Sequence, residues 1–130
     1  MTLKTLNDEI AATYESMVST IEELLVLMNE RRGEKKEIER KARLILPFLR
    51  KLKASIDSEQ NMVNVTIRRN EPFSLSLETL LEKIANLQAF IQLASKGNKE
   101  AKVIKGINIL NKAILKELEK QRGIVLRAAA

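Results

Sequence analysis

Lys112, Lys116 and Lys120 recur at every fourth position near the end of this 130-residue chain. On a helix that spacing stacks three ammonium groups on one face, where like charges repel by about a few tenths of a kcal/mol per pair unless an anion lies near them. Lys102 and Lys105 fall on the same side, opposite the apolar stripe Val103, Ile107, Leu110, Ile114 and Leu118. A second cationic set, Lys36, Arg40, Arg43, Arg50 and Lys51, occupies the outward face of an earlier helical segment. The chemistry open to these ten side chains is capture of a polyanion, above all nucleic acid phosphates, through charge. Of opposite sign, Asp8, Glu15, Glu22, Glu23 and Glu30 line the face opposite Ile10, Tyr14, Met17, Ile21, Leu24 and Met28. This acidic row is a candidate contact for a second copy of the chain.

Bond-making chemistry has few carriers here. The sequence holds neither histidine nor cysteine. That removes imidazole acid–base catalysis, His phosphorelay, CxxCH haem attachment, the Glu-x-x-His di-iron site, thiol chemistry and disulfides. No catalytic residue, metal ligand or cofactor site is expected. Aromatic residues make up 3% of the chain, and no base-stacking platform or recognition motif stands out, so the cationic faces suit backbone binding without sequence readout. The longest uncharged stretch, Ile84 to Ser95, falls well short of the roughly 20 apolar residues of a membrane span, and the opening MTLKTLNDEI lacks a signal-peptide core. No membrane span is expected, and the location implied is a virion or otherwise the cytoplasm.

Periodicity predicts the elements that must carry these rows. Apolar positions 10, 14, 17, 21, 24 and 28 alternate steps of four and three, as do 38, 42, 45, 49, 52 and 56, which defines heptad seams. With Leu77, Leu80, Ile84, Leu87 and Ile91, and then a stripe closer to a 3.6 period, the spacing predicts helices over 5–32, 34–56, 76–95 and 98–127. Gly97 reads as a helix stop, Asn98 as the next N-cap and Ser76 as the cap of the third helix. The first two seams are in register across Gly33, so 5–56 as one helix is the alternative to a hairpin. Two cationic seam positions and a mid-helix glycine, at about 1 kcal/mol relative to alanine, favour the hairpin. Pro47 should kink or split the second helix, since it has no N–H to return to Arg43. Between the second and third helices, Val63, Val65 and Ile67 alternate with polar residues, which predicts an extended arm over 57–75 able to touch another subunit. The Asn64-Val-Thr66 triplet matches an N-glycosylation acceptor, but without a secretory signal it is taken as chance. The fold class is therefore all-α: one domain, 1–130, a four-helix bundle of helical hairpins with a long extended connection.

Charge alternates between segments. Residues 1–30 carry one base and six acids, 31–53 ten and three, 54–95 three and five, and 96–130 nine and three, totalling +6. In an up-down-up-down bundle this sets acidic helices beside basic ones and favours one topology. Two external partners also fit: DNA through its phosphate backbone, or the protein itself, acidic row against lysine row. The latter joins two different surfaces and so propagates into rings or filaments, giving a homo-oligomer or lattice.

Two resemblances bear on function. The stretch IEELLVLMNERR from Ile21 to Arg32, followed by Lys41-Ala-Arg-Leu, looks like the first helix of the all-helical chorismate mutases, with its Leu-Leu pair and Glu-Arg-Arg. In that alignment Arg31 takes the place of one substrate-carboxylate arginine, but a catalytic arginine falls on Tyr14, the catalytic lysine on Ala42, and the later acid and arginine positions on Lys51 and Ala54. The two-cation clamp is missing, so the likeness implies a fold without a matching site, and no enzyme is expected. As a whole, a His-free, Cys-free, basic helical-bundle chain of this size is similar to the major coat proteins of large tailed spindle-shaped archaeal viruses of acid hot springs. The likeness lies in size, composition and helical pattern across the chain, and its Lys, Glu, Ile and Leu richness agrees with a thermophilic source. It implies a structural role, a coat or nucleoprotein subunit that self-associates around nucleic acid. The alternative is a cellular nucleic-acid-binding or regulatory bundle.

Overall fold

The computed structural model describes residues 3–30, 34–62 and 71–129, without the side chains of 58–62, 128 and 129. Four helices account for nearly all of them: α1 (Leu3–Asn29), α2 (Lys35–Met62), α3 (Glu71–Ser95) and α4 (Ala101–Ala129). Each packs on its neighbours in sequence, and α4 returns to pack on α1. All neighbours run antiparallel. The Glu23–Lys41 ion pair (2.7 Å) ties α1 to α2. Hydrogen bonds from Ser76 to Glu117 (2.7 Å) and from Tyr14 to Asn111 (2.7 Å) tie α4 to α3 and to α1. The result is an up-down-up-down four-helix bundle in which α2 and α4 occupy diagonally opposite corners.

The core forms where the seams converge. Ile10, Tyr14, Met17, Ile21, Leu24 and Met28 of α1 are buried, as are Ile38, Ala42, Ile45, Leu49, Leu52 and Ile56 of α2. Leu77, Leu80, Ile84, Leu87 and Ile91 of α3 and Val103, Ile107, Ile114 and Leu118 of α4 complete it. Fully burying such a side chain contributes about 1.5–3 kcal/mol, so the seams supply the main driving force for association of the helices. Leu110, expected in the α4 stripe, is only half-buried, and Asn111 takes the core position instead.

The hairpin between α1 and α2 is the arrangement found, as the cross-pair of Glu23 with Lys41 requires; Arg31, Arg32 and Gly33 lie outside the described residues. Several boundaries differ from the sequence expectation. The extended arm over 57–75 is corrected at both ends: α2 continues to Met62 and α3 begins at Glu71, while Val63, Val65 and Ile67 lie outside the described residues. Ser76 does not cap α3 but sits buried inside it, held by Glu117. Helix α3 starts earlier because Pro72 suits a first helical turn, where its missing N–H has no partner to lose, and because Phe73 is fully buried and anchors that turn. Pro47 does not split α2, which runs through it without a break. Pro47 is exposed, so the carbonyl left without its helical donor lies on the solvent side, where water can take that role.

Gly97 ends α3 as expected. Its φ of 85° places it in the left-handed region. The Gly97 N–H donates to Ala94 O (2.9 Å) and the Asn98 N–H to Leu93 O (3.1 Å), the paired bonds of a Schellman cap. Asn98 Oδ1 then accepts from the Glu100 N–H (2.9 Å), so it closes the turn ahead of α4, which starts at Ala101 rather than at the cap residue itself. A Cβ at Gly97 would also lie 2.2 Å from Lys35 Cε. Gly97→Ala should therefore destabilise the bundle by about 1–2 kcal/mol, from backbone strain. By contrast, Gly123 lies within α4, and a methyl group added there would meet nothing within 4 Å. Gly123→Ala should stabilise by up to about 1 kcal/mol through helix propensity. Urea unfolding of both variants checks the two signs.

Candidate nucleic-acid interface

Helix α4 presents Lys105, Lys112, Lys116 and Lys120 along its outer edge, all exposed, and none has a carboxylate within ion-pair distance among the described residues. Lys102 is exposed as well but reaches Glu100 at 3.4 Å. Ile109 interrupts the lysines and is half exposed. The core stripe of α4 dictates this edge: once Val103, Ile107, Ile114 and Leu118 face inward, the lysines can only face water.

On α2, Lys36, Arg40, Arg43, Arg50 and Lys51 are likewise exposed. Their availability differs. Arg40 forms a two-pronged pair with Glu37 one turn back. The Arg40 hydrogen bond holds the Glu37 carboxyl below its usual range, and Glu37 in turn raises the guanidinium. Arg43 reaches Glu39 at 3.5 Å. Lys36, Arg50 and Lys51 have no carboxylate at ion-pair distance among the described residues, which leaves them the freest cations of this face.

The two cationic faces do not form one surface. Because the helices close in a ring, α2 and α4 stand at opposite corners, with α1 and α3 between them. One rigid duplex lying along α4 cannot reach the α2 face of the same subunit.

Asp8, Glu15, Glu22 and Glu23 are exposed on α1, and Glu30 is exposed just past its end. Part of this row is neutralised within the subunit, Glu23 by Lys41 (2.7 Å) and Glu15 by Arg122 (3.8 Å). Neither cation belongs to the lysine row. Asp8, Glu22 and Glu30 have no ion pair among the described residues, although the Glu30 carbonyl accepts from Lys99 Nζ at 3.5 Å.

Two features escaped the sequence reading. Phe48 of α2 is 48% exposed and lines a groove with Lys51, and Leu44, one turn earlier, is 50% exposed. Phe48 sits one position before the seam residue Leu49, a phase that places it outside the core; the low aromatic content hid a ring standing beside a lysine. The second feature is polar and interior. Tyr14, read as apolar, donates its hydroxyl to Asn111 Oδ1, and burial pushes its phenol pKa well up, so it stays a neutral donor. Ser76 and Glu117, Asn7, and the fully buried Gln121 lie in the same half of the bundle. Asn7 Oδ1 and both amide atoms of Gln121 have no hydrogen-bond partner.

Among the described residues no group of three or more acidic, His or Cys side chains is arranged to hold a metal ion. No described helix is long and apolar enough to cross a membrane. Tyr14 and Ala42, where the chorismate mutase alignment needs cations, are fully buried in the core. Comparison with protein families, curated proteins and solved structures finds no significant match to this chain.

The interior polar groups generate a stability test. Tyr14→Phe leaves the buried Asn111 oxygen without its donor and should destabilise by about 1–3 kcal/mol. Gln121→Met removes two partnerless amide atoms at similar volume and should stabilise by about 1 kcal/mol. Thermal or urea unfolding decides, and a destabilised Gln121→Met would show that the amide is satisfied by internal water.

Proposed function

We propose that this chain is a structural subunit of a nucleoprotein or viral coat, which binds nucleic acid through its phosphates and self-associates, and which catalyses no reaction. The observation that carries this reading is the α4 edge of partnerless lysines set diagonally opposite the cationic α2 face. Two opposed polyanion-binding edges let one subunit bridge two stretches of backbone, the arrangement a packaging protein needs. Such an edge serves no purpose in fold stability, since its like charges repel until an anion arrives. The likeness to spindle-shaped virus coat proteins supports the same reading, which implies a virion as the location. A cellular nucleic-acid-binding module is the second reading. It is favoured by the pairing of Glu15 and Glu23 inside the subunit, which leaves less of α1 for a neighbour.

Mixed-sequence DNA duplexes should bind with similar affinity and lose it steeply with salt. Replacing Lys112, Lys116 and Lys120 by Gln should reduce the slope of log K against log salt by about one for each phosphate no longer neutralised. An unchanged slope would remove α4 from the interface. Electron microscopy with and without DNA separates the two readings: a coat subunit forms ordered particles or filaments, whereas a module stays small until DNA is added.

Self-association has its own test. Glu22→Lys with Glu30→Lys should weaken assembly in sedimentation, and adding Lys112→Glu with Lys116→Glu should restore it. Each exposed pair contributes only about 0–1 kcal/mol, so the effect becomes measurable through repetition along a lattice. Equal assembly of all variants would mean that these rows are only solvated faces.

A further inference from the structure

Phe48 stands beside a groove of about 350 Å³ between α1 and α2. That is near the lower end of ligand clefts, which span about 300–1,000 Å³, and suits a single ring system better than a long chain. Ile10 and Leu52, both buried, form its apolar floor, and the Phe48 ring forms one side. Lys51, one turn further along α2, brings an ammonium to the rim, and Thr13 and Glu9 of α1 bring a hydroxyl and a carboxylate to the other wall.

This mixture selects among occupants. A second copy of the α2 face is repelled by its own cations. An acidic helix is opposed by Glu9 at the rim, and a lipid surface needs a protruding apolar ridge rather than a concave slot. A flat heteroaromatic ring bearing an amino group and joined to a phosphate suits these walls: its face on Phe48, its amino group donating to Glu9, its phosphate near Lys51. Bases inside a duplex are already stacked and cannot offer a free face, so the ring must come from an unpaired strand.

We propose that the α1–α2 groove at Phe48 is a single-stranded nucleic acid subsite, in which one unpaired base stacks on the Phe48 ring while the adjoining phosphate lies on Lys51. The proposal rests on the phosphate-binding reading above and extends it from backbone capture to base contact at one corner of the bundle. It also gives the opposed edges different tasks, α4 for backbone of any form and α2 for unpaired strand. Glu9 makes the site favour bases with an exocyclic amino donor, such as cytosine, over thymine.

The sequence contains no tryptophan, so Phe48→Trp installs one tryptophan, excited selectively over Tyr14, at the proposed contact, on the surface, where the core is not disturbed. Oligo-dC is titrated into this variant with Trp emission and the anisotropy of an end-labelled strand read in parallel. The expected result is quenching that saturates together with anisotropy, while inorganic polyphosphate binds without quenching. Phe48→Ala should weaken oligo-dC binding about tenfold and leave duplex affinity unchanged. Glu9→Gln should narrow the preference for oligo-dC over oligo-dT. Binding by anisotropy without quenching overturns the subsite and leaves the phosphate-binding reading standing. No binding by either signal at low salt overturns both. A Trp signal produced equally by anionic phosphatidylserine vesicles, or by raising protein concentration alone as dimers sediment, assigns the groove to lipid or to a second copy and overturns the proposal.

Discussion

Each helix of this chain has one apolar stripe and no other means of losing contact with water. Four such stripes are stable only when they close on a common interior, and that requirement governs everything else in the molecule. Because a stripe occupies one side of its helix, charged residues are pushed to the outer edge, with the buried Glu117, bonded to Ser76, as an exception. The lysines of α4 and the cations of α2 are thus external because Val103, Ile107 and Ile114, and Ile38, Ile45 and Leu49, are internal. Short, antiparallel passage from helix to helix then places α2 and α4 on a diagonal, which keeps the two basic edges apart and sets an acidic or nearly neutral helix beside each.

The interior is not uniform along its length. In the half containing Met17 to Met28, Ile38 to Ile45 and Ile84 to Ala94, the buried side chains are apolar. The other half holds Asn7, Ser76, Asn111, Glu117 and Gln121, with Tyr14 bonded to Asn111. An apolar seam alone tolerates slippage of one helix along another by a turn. The Tyr14–Asn111 and Ser76–Glu117 bonds do not, since a slip would strand their buried partners at about 1–3 kcal/mol each. These two bonds fix the longitudinal position of α4 against both α1 and α3, and through it the place of each lysine relative to its neighbours.

Surface charge acts at two levels. Pairs such as Glu23 with Lys41 and Glu15 with Arg122 span adjacent helices and favour this order of packing, although exposed pairs contribute little each. Pairs such as Arg40 with Glu37 stay within one helix and simply lower the availability of a cation. What is left over, among the described residues, is exposed charge without an ion pair, including Lys105, Lys112, Lys116 and Lys120 on one corner, Lys36, Arg50 and Lys51 on the other, Asp8 and Glu22 on α1, and Glu30 just past its end.

By itself the sequence determined the existence and phase of the four helices, because a seam such as 10, 14, 17, 21, 24, 28 is a property of spacing and needs no knowledge of partners. It also determined the loop at Gly97, where only a left-handed residue closes the cap, and the outward direction of all ten candidate cations. Tertiary structure decided what spacing cannot encode. Phe73 buried against the bundle drew the start of α3 back to Glu71 and placed Ser76 inside the core. Exposure of Pro47 allowed α2 to run on unbroken. Which carboxylate meets which cation depended on helix order around the ring, and so did the separation of the two basic edges. Phe48 is the clearest case: the seam phase sets it outside the core, but only the closing of α1 against α2 left its ring beside a groove that it shares with Lys51.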